Sequence, residues 1–324
     1  MAAPVSTRPE GRRRRQGLGS GSDSGPGQGC PWAPRLGAPL GSRRWAQAVT
    51  RAASRIRTNV VRMCPQRQLA VCGSNSVRII VVNEIDWSGV EVLTFDCYGT
   101  LIDWETGIVR ALRGVIGPEV ATDDELLAGY AGHEAAAEAG PWKPYRQILR
   151  ESMSQICRGY GLMPTSAQAA AFGGSVADWP AFPDSAEALT RLKGRFGLGI
   201  ITNCDDDLFG LSDRRLGQPF RWVVTAQQAE SYKPTTRNFE LAFARIDRPR
   251  ESIVHVAQSL YHDHIPAQKL GLRTVWINRR QGRPGGGATP PAEGRPDLTF
   301  PNLATFADAA LRDKTSARAQ ADST

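Results

Sequence analysis

No Cys-x-x-Cys pair occurs in this chain, and its six cysteines (Cys30, Cys64, Cys72, Cys97, Cys157, Cys204) keep no regular spacing. A metal cluster and a disulfide framework are therefore not expected, and reduced thiols in a cytoplasmic protein are the favoured reading. No stretch approaches the roughly 18 consecutive apolar residues that a membrane span needs, and no charged-then-apolar secretory leader is recognisable. Acid is scarce in the first 80 residues: Glu10 and Asp23 stand against fourteen arginines, a net charge of +12. The remaining residues carry −4, so the basic pI of about 9.5 belongs to the extension and says little about what the folded part binds.

Residues 1–80 read as a basic, disordered extension. Gly, Pro, Ser and Arg dominate, and such composition cannot bury enough apolar area to offset chain entropy. Three readings fit it: an organellar transit peptide, a basic arm touching nucleic acid or anionic lipid, or a start assigned too far upstream. The last is favoured, because the domain begins near Val81 and the arm lacks interleaved aromatics. Any nucleic-acid contact is assigned to this arm, and no membrane partner is expected.

From residue 90 onward short apolar runs alternate with amphipathic segments. Strands are expected at Val90–Phe95, Leu198–Thr202, Trp222–Thr225, Ile253–Ala257 and Thr274–Ile277. Asp184–Arg195, opened by an Asp/Ser cap, and Thr236–Ile246 read as helices between them. Strand, helix, strand at this spacing implies right-handed crossovers and a parallel sheet, an α/β fold. About a hundred residues separate Phe95 from Leu198, far more than one crossover needs. Helix-like segments fill that gap: Gly107–Val115, Asp123–Ala139, Tyr145–Gly159 and Ser166–Phe172. The expected division is a core of 85–108 and 183–312, an inserted helical domain over 109–182, and a polar tail over 313–324. The chain beyond Arg279 reads as a loop, followed by a last helix around Asn302–Leu311.

Four strand ends deliver polar groups to one edge of such a sheet. The first gives Asp96, Tyr98 and Thr100, and the second gives Thr202 and Asn203. Lys233 precedes a helix, and Asp263 follows the strand that ends at Ala257. Open α/β sheets place their chemistry at the carboxyl ends of strands, and an unpaired buried carboxylate is costly. Singly, Lys233 reads as a solvated lysine and Asp263 as a helix cap; together they make a reactive-centre pattern.

These residues resemble the haloacid dehalogenase (HAD) superfamily, in its 2-haloacid dehalogenase branch. Phe95-Asp-Cys-Tyr-Gly-Thr-Leu-Ile-Asp103 matches its first motif, Ile201-Thr-Asn203 its second, Tyr232-Lys-Pro234 its third and Gln258–Asp263 its fourth. The resemblance implies a Rossmann-like core with an inserted helical cap of the C1 type. It implies that Asp96 is the nucleophile and that Lys233 keeps it ionised. Thr202 and Asn203 would bind a small anionic substrate, and Thr100 would orient the site. In superfamily phosphatases the position of Tyr98 holds an acid that protonates the leaving alkoxide, a contribution of about 10²–10⁴-fold. A halide needs no proton, so Tyr98 points to metal-independent dehalogenation of a small 2-haloacid. Gln258 points the same way, because a neutral amide binds Mg²⁺ poorly.

Two alternatives remain. One is a phosphatase with Mg²⁺ held by Asp96, the Tyr98 carbonyl and Asp263; the other is a non-catalytic HAD-fold binding protein. The fourth motif is one residue longer than in the dehalogenases, and Phe239 replaces their tyrosine six residues after the lysine. Lys143 and Arg146 are the candidates for the cap cation that handles the departing halide. Of His262 and His264, one is expected at the site rim and the other in solvent. Asp205–Asp207 reads as an acidic first helical turn, and Trp104 and Trp142 read equally as lining under the cap or as core packing. Oligomeric state stays open, a homodimer included.

Overall fold

A computed structural model describes residues 85–283 and 286–312; the extension expected over 1–80 and the tail over 313–324 lie outside the described residues. The described strands form a single parallel sheet in the order β3-β2-β1-β4-β5-β6. They are β1 Val92–Phe95, β2 Gly197–Thr202, β3 Trp222–Thr225, β4 Ile253–Ala257, β5 Arg273–Ile277 and β6 Leu298–Phe300. Every residue of β1 and β4 is buried, as a central parallel strand covered on both faces requires. Strand β6 lies in the stretch expected to be loop throughout. It is three residues long, pairs only with β5 at the sheet edge, and is too short to display a period.

The chain leaves β1 toward β2 and β3 on one side and returns to β4 on the other, so the strand order reverses at β1. A crevice opens at such a switch point, at the carboxyl ends of the strands. Asp96, one residue past β1, stands there.

Ten helices follow among the described residues: α1 Trp104–Ile116, α2 Asp123–Glu138, α3 Tyr145–Gly159, α4 Ser166–Gly174, α5 Ser185–Lys193, α6 Asp206–Arg215, α7 Ala226–Ala229, α8 Arg237–Ile246, α9 Ile265–Lys269 and α10 Leu303–Leu311. Helix α1 begins at Trp104 rather than at Gly107, because Asp103 caps it through the Thr106 N–H (3.2 Å). Thr122 and Glu125 form a reciprocal capping box that fixes the start of α2. Helices α2, α3 and α4 pack around Leu126, Tyr130, Ile148, Leu149, Met153 and Phe172.

The segments leading into and out of this helical insertion are laced together. The Asp103 N–H donates to the Pro180 carbonyl (2.8 Å), and the Phe182 N–H to the Leu101 carbonyl (3.0 Å). Trp179 from the returning segment lies against Gly107, where an added Cβ would fall 2.2 Å from Trp179 Cδ1. Gly107→Ala should therefore destabilise by about 1–3 kcal/mol, although alanine is the better helix former. Urea unfolding checks this, and an unchanged or raised midpoint would contradict the close approach.

Asp184 was expected to cap α5. It makes no side-chain bond to that helix, and instead caps α10 through the N–H groups of Leu303 (2.7 Å) and Ala304 (3.1 Å) while holding Arg279. That helix end is also capped by Asn302, whose Oδ1 accepts from the Thr305 N–H (2.9 Å), so Asp184 completes its first turn.

Candidate active site

Asp96 enters a turn closed by Leu101 N–H to Cys97 C=O (2.8 Å) and Gly99 N–H to Ile102 C=O (2.8 Å). Gly99 has φ +90°, and a Cβ there would sit 2.9 Å from the Trp104 indole nitrogen, so this position admits glycine alone. The turn brings Thr100 Oγ1 back to donate to Asp96 Oδ2 at 2.7 Å.

Lys233 is buried and its ammonium is fully used. It donates to Asp96 Oδ1 (2.9 Å), Asp263 Oδ1 (2.6 Å) and the Ile201 carbonyl (2.8 Å), one bond for each of its protons. Behind Asp263 lies His255, whose Nε2 is 3.1 Å from Asp263 Oδ1 and whose Nδ1 is 2.9 Å from Thr94 Oγ1. Phe239 packs edge-on against this imidazole. A continuous chain thus runs Thr94–His255–Asp263–Lys233–Asp96–Thr100. His255 was not singled out from the sequence, although a histidine inside an otherwise apolar, fully buried strand is the signal that marks it.

The charges within this chain are not equally matched. Burial alone would raise Asp263, but Lys233 and His255 hold it well below the usual carboxylate range. Burial works against the Lys233 ammonium, yet its two carboxylates raise it further. Asp96 ends above an ordinary aspartate: burial raises it, the Asp263 charge adds to that, and Lys233 offsets only part. Lys233, implied by the resemblance to keep Asp96 ionised, is shared with Asp263, and burial is the larger effect on Asp96.

Tyr98 occupies the position of a phosphatase acid but points its hydroxyl elsewhere. It meets Ser212 Oγ at 3.1 Å, accepts from the Cys204 thiol at 3.4 Å, and its ring stands edge-on to Trp179. Burial pushes this phenol well above its usual range. Gln258 presents a neutral amide whose oxygen lies 3.4 Å from Thr289 Oγ1.

Above Asp96 is a cavity of about 30 Å³, room for about two waters. The core lines it with Asp96, Tyr98, Asn203, Lys233, Ser259, His262 and Asp263; the insertion adds Trp104, Glu134 and Glu138, and the loop before β6 adds Thr289. Glu134, Glu138, Ser259 and Thr289 were not foreseen. Glu134 and Glu138 follow the buried Tyr130 at i+4 and i+8 on one face of α2, a spacing that groups the three but does not by itself turn that face inward. Thr289 sits in a Gly- and Pro-rich loop that gives no periodic signal.

Glu134 Oε1 accepts from the hydroxyls of Tyr130 and Tyr145, both at 2.6 Å. Burial nevertheless pushes Glu134 up to about 7. Burial, and then the Glu134 charge, push Glu138 well above its usual range. A carboxyl whose folded value exceeds its ordinary 4.5 stabilises the fold most below pH 4.5 and loses that contribution as pH rises through 7. The parent should therefore lose stability relative to Glu134→Gln as pH rises from 4.5 to 8. Urea unfolding of both proteins across that range checks it, and a pH-independent difference would contradict it.

Other expected residues fall elsewhere. Lys143 pairs with Glu151 (2.6 Å) and Arg146 with Asp207 (2.5 Å), and neither lines the cavity. Thr202 Oγ1 is buried without a partner and also lies outside the lining. Asn203 lines it, but its side chain accepts from the Lys233 N–H and donates to the Lys233 carbonyl, which fixes the lysine's backbone. Trp142 is 38% exposed and away from the cavity, whereas Trp104 is buried against it. His264, expected in solvent as one of the histidine pair, is fully buried with Nε2 on the Ala257 carbonyl at 3.0 Å. His262 reaches the cavity, and burial lowers it to about 4.

Asp205 does not serve its own helix either. Its carboxylate accepts from the N–H groups of Tyr145 (2.8 Å) and Arg146 (2.9 Å), capping α3 of the insertion from the core. The extra residue of the fourth motif is absorbed by a π-helical turn over Leu260–His264, in which the His264 N–H reaches the Ser259 carbonyl.

A family model described as haloacid dehalogenase-like hydrolase matches residues 93–277, more than half of the chain. The chain belongs to the haloacid dehalogenase-like hydrolase family. It is 32% identical over 109 residues to haloacid dehalogenase-like hydrolase domain-containing protein 3 of Danio rerio, covering 33% of this chain and 45% of that protein. It is 23% identical over 199 residues to the (S)-2-haloacid dehalogenase of Pseudomonas putida, covering 60% and 86% of the two chains. A phosphatase of Escherichia coli strain K12 acting on 5-amino-6-(5-phospho-D-ribitylamino)uracil is 27% identical over 210 residues, covering 60% and 85%. A solved dehalogenase with an intermediate complex superposes with a TM-score of 0.60 at 21% identity, covering 69% of this chain and 99% of that one, which shows the fold. Within this haloacid dehalogenase-like hydrolase, the inserted helices bring Glu134 and Glu138 to the cavity.

Proposed function

We propose that this hydrolase displaces halide from a small organohalide through a covalent ester on Asp96. The supporting observation is the pairing of a doubly held Asp96 with a Tyr98 whose hydroxyl is committed to Ser212 and Cys204. Lys233 and Thr100 aim the carboxylate, and no acid from position 98 faces it, so a leaving group that needs no proton suits the site.

One Asp96 oxygen attacks the carbon, the carbon–halogen bond breaks, and the halide leaves with the electron pair. Water then adds to the carboxyl carbon of the ester. One of its protons passes to the departing alcohol oxygen and the other to solvent, which restores Asp96. Asp263 Oδ2 and His262 Nε2 are buried polar atoms without partners beside this reaction space. Asp263 Oδ2 is assigned to hold the attacking water.

The donor set fits Mg²⁺ poorly. Lys233 already binds one oxygen each of Asp96 and Asp263, and Gln258 offers a neutral amide where a hard cation favours carboxylate. The phosphatase relative keeps the second reading testable. Halide should be released from a two- or three-carbon 2-chloro compound in EDTA. Turnover of p-nitrophenyl phosphate that requires Mg²⁺, without halide release, would replace this reading by the phosphatase.

A further inference from the structure

On the reading that Asp96 displaces halide, we propose that the substrate presents an N–H hydrogen-bond donor, an amide or ammonium, to the Glu134–Glu138 wall instead of a carboxylate to a basic anchor. Among the described residues lining the cavity, Lys233 is the only cation, and its three protons are already taken. Four carboxyl groups share that wall: Asp96, Asp263, Glu134 and Glu138. A substrate carboxylate would enter this surround with no unused cationic donor, in a buried site beside the ionised Asp263.

A donor head meets the opposite situation. Glu138 Oε2 lies 3.8 Å from His262 Nε2, too far for a hydrogen bond, and takes only long bonds of 3.3 and 3.4 Å from Asn203. His262 is 7% exposed, lines the same cavity, and its Nε2 has no partner. The insertion thus turns an acceptor-rich, under-bonded wall toward the reacting carbon. A donor placed there would satisfy Glu138 and let the buried glutamates ionise, since an opposite or donating group favours the charged form. The small cavity limits this head to a few atoms. An amide beside the halogenated carbon keeps the carbonyl activation that a 2-haloacid would have supplied.

The test compares 2-chloropropionate, 2-chloropropionamide and 1-amino-2-chloropropane as halide donors for the full-length protein. Chloride release from the amide or the ammonium compound should exceed that from the carboxylate by at least about tenfold in kcat/KM. Glu138→Gln should narrow that preference several-fold, mainly through KM, because the amide turns an N–H donor toward the substrate and cannot take up a negative charge. A carboxylate preference in the parent protein would overturn the proposal while leaving Asp96 as the nucleophile. An unchanged preference in a folded Glu138→Gln protein would also overturn it. Failure of all three substrates, with no ester on Asp96, would remove the halide-displacement reading and the substrate class with it.

Discussion

Asp96→Asn should abolish halide release, by at least about 10³-fold in kcat, and should leave the protein at least as stable as its parent. The two halves of this result come from one fact. Asp96 sits where burial and the Asp263 charge disfavour its ionised form, and Lys233 compensates only in part. An amide keeps the shape, retains the hydrogen-bonding reach of the side chain, and removes a charge that the fold tolerates poorly. A nucleophile held against stability is what a site built for reaction looks like. The same direction predicts the acid limb of the pH profile. Asp96 must be ionised to attack and its value is raised, so activity should fall on acidification at a pH above the ordinary aspartate value of 3.8. Purified Asp96→Asn with parental turnover, or with a large loss of stability, would show that Asp96 is structural.

The second large effect is expected at Lys233. Lys233→Met keeps the length of the side chain and removes the only charge between Asp96 and Asp263. Breaking a buried pair by deleting one partner typically costs about 3–5 kcal/mol, because the remaining charge is stranded. Here two carboxylates are stranded together, with Asp263 retaining His255 and Asp96 retaining Thr100. The loss should be largest at neutral pH. It should shrink on acidification, because Asp263 is held below its usual range mainly by Lys233 and loses that hold in the variant. Urea unfolding at pH 5 and pH 8 measures both features. A loss under about 1 kcal/mol at pH 8 would mean that Lys233 is not the electrostatic centre of the site.

Much of this arrangement was legible in the sequence because it is local and positional. The run Val-Glu-Val-Leu-Thr-Phe into Asp96 and Gly99 marks a buried strand and its turn, and the turn forces Thr100 back onto Asp96. Lys233 and Asp263 were visible because each follows a strand in a fixed order. The Glu134–Glu138 wall was not legible for a physical reason. Helix α2 is rich in alanine and acid on several faces, so periodicity does not separate the glutamates that face inward from those in water. Only the tertiary packing of Tyr130 and Tyr145 identifies Glu134.

Lys143 and Arg146 show the converse. Their charge suggested an anchor, but neighbouring acids at 2.6 and 2.5 Å engage them, and neither lines the cavity. The same logic explains Asp184, read as the cap of its own helix, and Asp205, read as part of an acidic first turn: both are found serving helix ends distant in sequence. Charge counts reveal which groups exist, whereas partner choice depends on which backbone ends the fold leaves unsatisfied.

The most direct test of the nucleophile is a single turnover in H₂¹⁸O with enzyme in excess over whichever chlorinated substrate releases halide. Attack of water on the ester carboxyl should place ¹⁸O in the peptide containing Asp96 and leave the alcohol product unlabelled. Label in the alcohol, with an unlabelled Asp96 peptide, would mean that water attacks the substrate carbon directly and that no ester on Asp96 forms.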